Sequence, residues 1–175
     1  TYVGYGVLLY LLVRIKRLLH KSGSSDNAIA DTNLPDVTFM VCAYNEQEVV
    51  DMKIANTRAL DYPKEKLHIV WVTDGSTDYT NERLANYSDV RVLYQPERKG
   101  KTAALNRGLA LAGTSIVIMT DANTMVNKDA IMETVRLMAD PKVGCVAGEK
   151  RVMTKSEGEI AAEGEFFIFF MPIFT

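Results

Sequence analysis

The segment Glu97-Arg98-Lys99-Gly100-Lys101-Thr102 sets basic residues around a glycine where a helical pattern begins, a combination suited to phosphate oxygens. A helix N-terminus presents unpaired N–H groups and a partial positive charge, and Lys101 adds a full one. Gly-Lys-Thr also ends an ATP-binding P-loop, but that motif requires a glycine five positions before Gly100, where this chain has Gln95. The ATPase reading is therefore excluded, and the remaining alternative is a solvated basic turn.

Three polar clusters accompany this segment: Ala43-Tyr44-Asn45-Glu46, Asp74-Gly75-Ser76-Thr77-Asp78 and Asp121-Ala122-Asn123. Each has a plain structural explanation. Tyr44-Asn45-Glu46 can start a helix, the second cluster is a turn followed by an N-cap, and the third can be a turn with Asn127 capping the next helix. Turn chemistry does not demand their joint order and spacing, which point to one site assembled from several loops.

Such a site needs a frame. Apolar runs at 37–42, 68–73, 90–94, 115–119 and 143–146 read as strands, several of them apolar throughout, as strands covered on both faces are. Between them Leu105, Gly108, Leu109 and Ala112 recur at helical spacing. So do Ile131, Val135 and Met138, in a helix that must stop before Pro141. This βαβα alternation predicts an α/β fold with an open, mostly parallel sheet and helices on both faces. Ligands of such sheets bind beyond the carboxyl ends of the strands, where strand order switches. The three clusters follow the first, second and fourth strands.

The flanks have a different character. No charged residue occurs from Thr1 to Val13, and Arg14, Lys16, Arg17, His20 and Lys21 follow at once. The uncharged stretch covers about 20 Å as a helix, against roughly 30 Å of hydrocarbon, so 1–21 reads as part of a transmembrane helix with a basic cytoplasmic flank. A soluble helix with a basic end is the alternative, and a signal peptide would carry its basic residues first. Residues 22–36 are small and polar and read as a linker, leaving 37–152 as the main domain. The tail, 153–175, ends in an apolar stretch compatible with an interfacial helix, a buried strand or a truncation scar.

At 175 residues and 47% hydrophobic composition, the chain suffices for one domain with a sizeable core. Its net charge of -2 and pI near 5.7 exclude a general nucleic-acid binder. Cys42, Cys145, His20 and His68 lack metal-ligand spacing, and the cysteines read as buried thiols in a reducing compartment.

Together, Ala43-Tyr44-Asn45-Glu46, Asp74-Gly75-Ser76-Thr77-Asp78, Gly100-Lys101-Thr102-Ala103-Ala104-Leu105-Asn106 and Thr120-Asp121-Ala122-Asn123-Thr124 resemble, in order and spacing, the motifs of family 2 glycosyltransferases of the GT-A fold. That group includes the cellulose, hyaluronan and poly-N-acetylglucosamine synthases. The resemblance runs from about residue 37 to about 152. It implies an inverting transfer from a nucleoside-diphosphate sugar, typically a UDP-sugar, to a saccharide or lipid-linked acceptor. The setting it implies is the cytoplasmic face of a membrane, such as the bacterial inner membrane.

Residue by residue, the resemblance places Ala43, Tyr44, Glu46, Asp74, Lys101, Asp121 and Ala122 at the donor nucleotide, and it implies that Tyr44 and Glu46 sit at the nucleoside, that Asp74 accepts a hydrogen bond from the base, and that Lys101 approaches the diphosphate. Asp121-Ala122-Asn123 stands where the family has Asp-x-Asp, which implies Mg²⁺ or Mn²⁺ held by Asp121 and Asn123. Because Asn123 is neutral, the charge offered to the metal falls by one. Asp121 becomes the main ligand, and diphosphate oxygens and water complete a hard shell. Metal and Lys101 would stabilise the charge that builds on the leaving diphosphate.

An inverting enzyme also needs a carboxylate base for the acceptor hydroxyl. The family's later acidic pair and Arg-Trp motif are absent, and Glu149, Glu157, Glu159, Glu163 and Glu165 do not match them. The catalytic base is therefore unassigned, and the expectation is donor binding without a complete catalytic site. Two other readings remain. One is a nucleotide-sugar-binding module that transfers nothing. The other is a sugar-1-phosphate nucleotidyltransferase, which should carry a glycine-rich loop where Tyr44-Asn45-Glu46 stands.

Overall fold

In the computed structural model, Val37–Ala43 form β1, an inner strand buried almost throughout. Its side chains alternate: Val37, Phe39, Val41 and Ala43 enter one core and Met40 the other. The structure describes residues 2–19, 34–148 and 166–170, and the side chains of 4–15 and 34–148.

The remaining elements are α1 (Tyr2–Leu19), α2 (Val50–Arg58), β2 (Leu67–Asp74), α3 (Thr80–Leu84), β3 (Val90–Gln95), α4 (Lys101–Ala110), β4 (Ile116–Asp121), α5 (Ala130–Met138), β5 (Cys145–Ala147) and β6 (Phe166–Phe170). They build one six-stranded sheet in the order β3-β2-β1-β4-β6-β5. β3, β2, β1 and β4 are mutually parallel, as the βαβα pattern predicted, whereas β6 runs antiparallel to both β4 and β5.

Helices cover both faces. Val50 and Ile54 of α2, Leu84 of α3 and Ile131, Val135 and Met138 of α5 close over Phe39, Trp71 and Ile118. Ala104 of α4 packs on the opposite face with Met40, Val70, Val72, Val117 and Met119. There the helix approaches the sheet closely, since a Cβ on Gly108 would lie 2.1 Å from Met40 Sδ and 2.9 Å from Val72 Cγ2.

The four parallel strands match the predicted runs to within about two residues. Packing begins slightly before β1: Leu34, at the end of the expected linker, is 4% exposed. The strand expected at 143–146 forms at Cys145–Ala147 and pairs with β6, not with a parallel neighbour. β6 itself comes from the tail, whose three readings the sequence left open; the structure makes it a strand. The cysteines differ from expectation. Cys42 is only partly buried and Cys145 is exposed, though both are free thiols.

The 1–21 segment is helical over Tyr2–Leu19 and its side chains from 4 to 15 are exposed. Among the described residues, no helix is long and apolar enough to cross a membrane. Most of the linker, the basic residues His20 and Lys21, and Glu149, Glu157, Glu159, Glu163 and Glu165 lie outside the described residues.

Candidate functional site

β2 lies on one side of β1 and β4 on the other, so chain direction across the sheet reverses between them. That is a topological switch point, and a crevice opens there beyond the strand ends. Register sets its floor: Cys42 of β1 is level with Asp121 of β4, and Ala43 with Thr73 of β2. A cleft of about 200 Å³ results, lined by Ala43, Tyr44, Glu46, Asp74, Lys101, Asp121 and Asn123 from the predicted set. Ala122 is different: it is fully buried in the core, away from the lining.

Two loops meet at the rim through hydrogen bonds that account for much of the motif chemistry. The Asn45 amide donates to Ser76 Oγ at 3.1 Å, and Asn45 Oδ1 accepts from the Thr77 amide at 2.8 Å. The Glu46 amide donates to Thr80 Oγ1 at 2.9 Å and the Gln47 amide to Asp78 Oδ2 at 3.0 Å. Asp78 Oδ1 also accepts from the amide and hydroxyl of Thr80. Burial pushes the Asp78 carboxyl up, but these hydrogen bonds outweigh it and hold the group below its usual range. Asn45 adopts φ 54°, a left-handed conformation that asparagine tolerates. Asn45, Ser76, Thr77, Asp78 and Thr80 thus join the loops, leaving Tyr44 and Glu46 to face the cleft.

Asp74 clamps the basic segment. Its Oδ2 accepts from the amides of Lys99 at 2.9 Å and Gly100 at 2.6 Å, while its Oδ1 lies 3.5 Å from Arg107 Nη1 and has no hydrogen-bond partner. Arg107 is held in turn by Gln95 Oε1 and the Thr73 carbonyl. The clamp brings Arg98 over Tyr44, with the guanidinium carbon 3.8 Å from the ring centroid. Gly100 precedes α4 at φ 91°, and Gly100, Lys101 and Ala104 line the cleft, which sets the positive end of the helix dipole at its edge.

Acidic groups gather on the opposite wall. Lys101 Nζ lies 2.9 Å from Asp121 Oδ1. Burial and the charges of Asp121 and Asp78 push the Glu46 carboxyl upward. Burial, reinforced by Asp121, raises the Cys42 thiol to about 11, so it remains protonated near neutrality.

A divalent cation fits this wall on one observation of the structure: Asn123 Oδ1 is buried without a hydrogen-bond partner, two residues from the Asp121 carboxylate. Among the described residues no cluster of three or more His, Cys, Asp or Glu side chains could hold a metal alone. Asp121 and Asn123 would supply two hard oxygens, and the remaining positions suit ligand oxygens and water.

Sequence reasoning missed Arg98 as a cleft residue, Arg107 as the partner of Asp74, and Lys53 behind the Asp121 turn. Arg98 lay inside the basic segment already singled out, and Arg107 falls a turn and a half after Lys101 on the same helix. Lys53 had no signal, because one lysine in a helix normally reads as exposed.

The Glycosyl transferase family 2 profile matches residues 38–173. Poly-beta-1,6-N-acetyl-D-glucosamine synthase of Staphylococcus aureus is 35% identical over 127 residues, which are 70% of this chain and 30% of the synthase. The chain thus spans about a third or less of the length of the curated relatives it matches. Among solved structures, the mannosyltransferase PcManGT from Pyrobaculum calidifontis, in complex with GDP-Man and Mn²⁺, is similar with a TM-score of 0.69 and 35% identity. The match covers 84% of this chain and 44% of that one. TarS of S. aureus, in complex with UDP-GlcNAc, has a TM-score of 0.56 at 21% identity over 60% of this chain and 31% of its own, a likeness of fold alone.

Proposed function

We propose that this chain, which belongs to glycosyl transferase family 2, carries the donor-binding half of an inverting, metal-dependent glycosyltransferase that takes a UDP-sugar. The observation that carries the reading is the convergence of Asp74, Lys101 and Asp121, from three separate elements, on one cleft at the switch point of the sheet.

In this reading Tyr44 and Asp74 bind the nucleoside, the Asp74 carboxylate accepting from a base N–H while Arg107 and the Lys99 and Gly100 amides hold it in place. The α4 N-terminus and Lys101 take the diphosphate. Asp121 and Asn123 would hold Mg²⁺ or Mn²⁺, which when bound neutralises charge on the departing diphosphate. The mannosyltransferase solved with GDP-Man and Mn²⁺ supports the metal and the donor class. The same complex favours a second reading in which the base is guanine, since a carboxylate can accept from the N–H groups of either base.

The acceptor is a saccharide or lipid-linked sugar, bound by residues outside the described cleft. The exposed apolar residues of α1, among them Leu8, Leu9, Leu11 and Leu12, support attachment to a membrane, and Arg14, Lys16 and Arg17 directly after them support placement of the domain on its cytoplasmic side. A module that binds donor and transfers nothing keeps the same site.

The test is calorimetric titration of the purified chain in detergent with UDP and with GDP, each with and without Mn²⁺. Metal-dependent UDP binding that Asp121→Ala abolishes is the expected result. Stronger metal-dependent binding of GDP moves the assignment to a GDP-sugar, and binding of neither nucleotide by the folded chain overturns the reading.

A further inference from the structure

Lys53 of α2 has no exposed surface, although a lysine is almost never fully buried unless its ammonium is paired. Its Nζ reaches the end of β4, where it donates to Thr120 Oγ1 at 3.2 Å, and the loop that follows, where it donates to the Thr124 carbonyl. Those two oxygens flank Asp121, Ala122 and Asn123. The Phe39 ring, 5.4 Å from Nζ, closes one side.

The neighbouring residues of α2 act in the same direction. Asn56 forms a reciprocal pair with Val126, donating from Nδ2 to its carbonyl and accepting from its amide, both at 2.9 Å. Just beyond the helix, the Asp61 amide donates to the Lys128 carbonyl at 2.8 Å. The turn's own bonds, to the Asp121 carbonyl from the Thr124 amide at 3.3 Å and from the Thr120 hydroxyl at 3.2 Å, are longer. Three attachments from one direction therefore fix 120–128, and Lys53 is the one that brackets the metal-ligand positions.

We propose that Lys53 is a positioning residue for the cation site, holding the Asp121-Ala122-Asn123 turn from behind so that the Asp121 carboxylate and Asn123 Oδ1 face the cleft together. The inference rests on the donor-site reading above. Lys53 is absent from the cleft lining, so it does not touch the donor and acts only through the turn. A neutral polar residue would be too short to span from α2 to both oxygens. An apolar residue would fill the space but leave Thr120 Oγ1 and the Thr124 carbonyl without a donor, releasing the turn. Residues that orient a metal ligand are typically worth about 10- to 100-fold in metal affinity, which sets the expected effect.

The experiment compares wild type, Lys53→Met, Lys53→Gln and Asp121→Ala for UDP affinity without metal, for its increase on adding Mn²⁺, and for Mn²⁺ alone by electron paramagnetic resonance. Lys53→Met is expected to keep the metal-free UDP affinity and lose about tenfold or more of Mn²⁺ affinity, with Lys53→Gln intermediate. An Mn²⁺ response equal to wild type in Lys53→Met overturns the proposal, as does an equal loss of metal-free and metal-dependent binding, which would mark a general role in folding. If Lys53→Met does not fold, Lys53→Gln decides by the same two measures. Asp121→Ala separates the two levels. If it retains the Mn²⁺ response, the donor-site reading has failed; if it loses the response while Lys53→Met keeps it, only the role of Lys53 has failed.

Discussion

Lys101 Nζ and Asp121 Oδ1 lie 2.9 Å apart across the cleft, so the residue proposed to meet a diphosphate and the residue proposed to hold a cation are paired with each other. A divalent ion held at Asp121 would compete with that ammonium, and a diphosphate would draw the ammonium towards its own oxygens. Metal and nucleotide should therefore bind cooperatively, each removing one partner from the pair.

Replacing Lys101 with methionine separates these effects. Mn²⁺ alone should bind Lys101→Met more tightly than wild type, because its competitor is gone. UDP in the presence of Mn²⁺ should bind about 10- to 100-fold more weakly, the worth of a charge-assisted hydrogen bond. Since the lysine is half exposed, stability should change by less than about 1 kcal/mol. Calorimetry and thermal melting check the three statements together.

Gly75 joins backbone geometry to the site. It adopts φ 70°, and a Cβ there would lie 2.7 Å from the Arg98 amide nitrogen, a backbone atom that cannot swing aside. Gly75→Ala should lose about 1–3 kcal/mol in urea unfolding. It should also weaken UDP binding, because displacing Arg98 pulls on the Lys99 and Gly100 amides that Asp74 holds. Unchanged nucleotide affinity in a destabilised Gly75→Ala protein would show that the clamp does not shape the site.

Much of this arrangement was legible in the sequence, for a physical reason. Strands covered on both faces must be apolar throughout, so 37–42, 68–73 and 115–119 announced themselves, and the polar residues directly after them marked the crevice. β6 did not announce itself, because Phe166-Phe167-Ile168-Phe169-Phe170 has no alternation to separate strand from helix. The division of labour within the motifs was also hidden. Asn45, Ser76 and Asp78 spend their hydrogen bonds on each other's loops, a pairing between positions about 31 residues apart that no local pattern encodes.

Lys53 supplies a pH dependence whose sign is fixed. Burial lowers its folded-state value to about 7 from 10.5, with the Asp121 charge opposing the shift. Between those values the unfolded chain holds a proton that the folded chain has released, so stability rises with pH across that window. The penalty for burying the ammonium is fully present below pH 7. Wild type should gain stability relative to Lys53→Met as the pH is raised from about 7 to 10, in metal-free buffer. Parallel melting curves for the two proteins across this range would show that Lys53 keeps its ordinary proton affinity.

Asn123 is the position at which the chain departs from the Asp-x-Asp pattern, and the structure makes the departure testable. Its Oδ1 is buried without a hydrogen-bond partner, so a carboxylate could replace the amide with little change of shape. Asn123→Asp would add a second negative charge beside Asp121. Two neighbouring carboxylates hold a proton more strongly than one, while a divalent cation favours both ionised. Mn²⁺ affinity should therefore rise by roughly tenfold near pH 8 and by less near pH 6, where protons compete. Asn123→Leu, which removes the oxygen and keeps the volume, should lower the affinity at both pH values. Equal affinities in all three proteins would mean that residue 123 does not contact the ion, leaving Asp121 as the sole protein ligand in the turn.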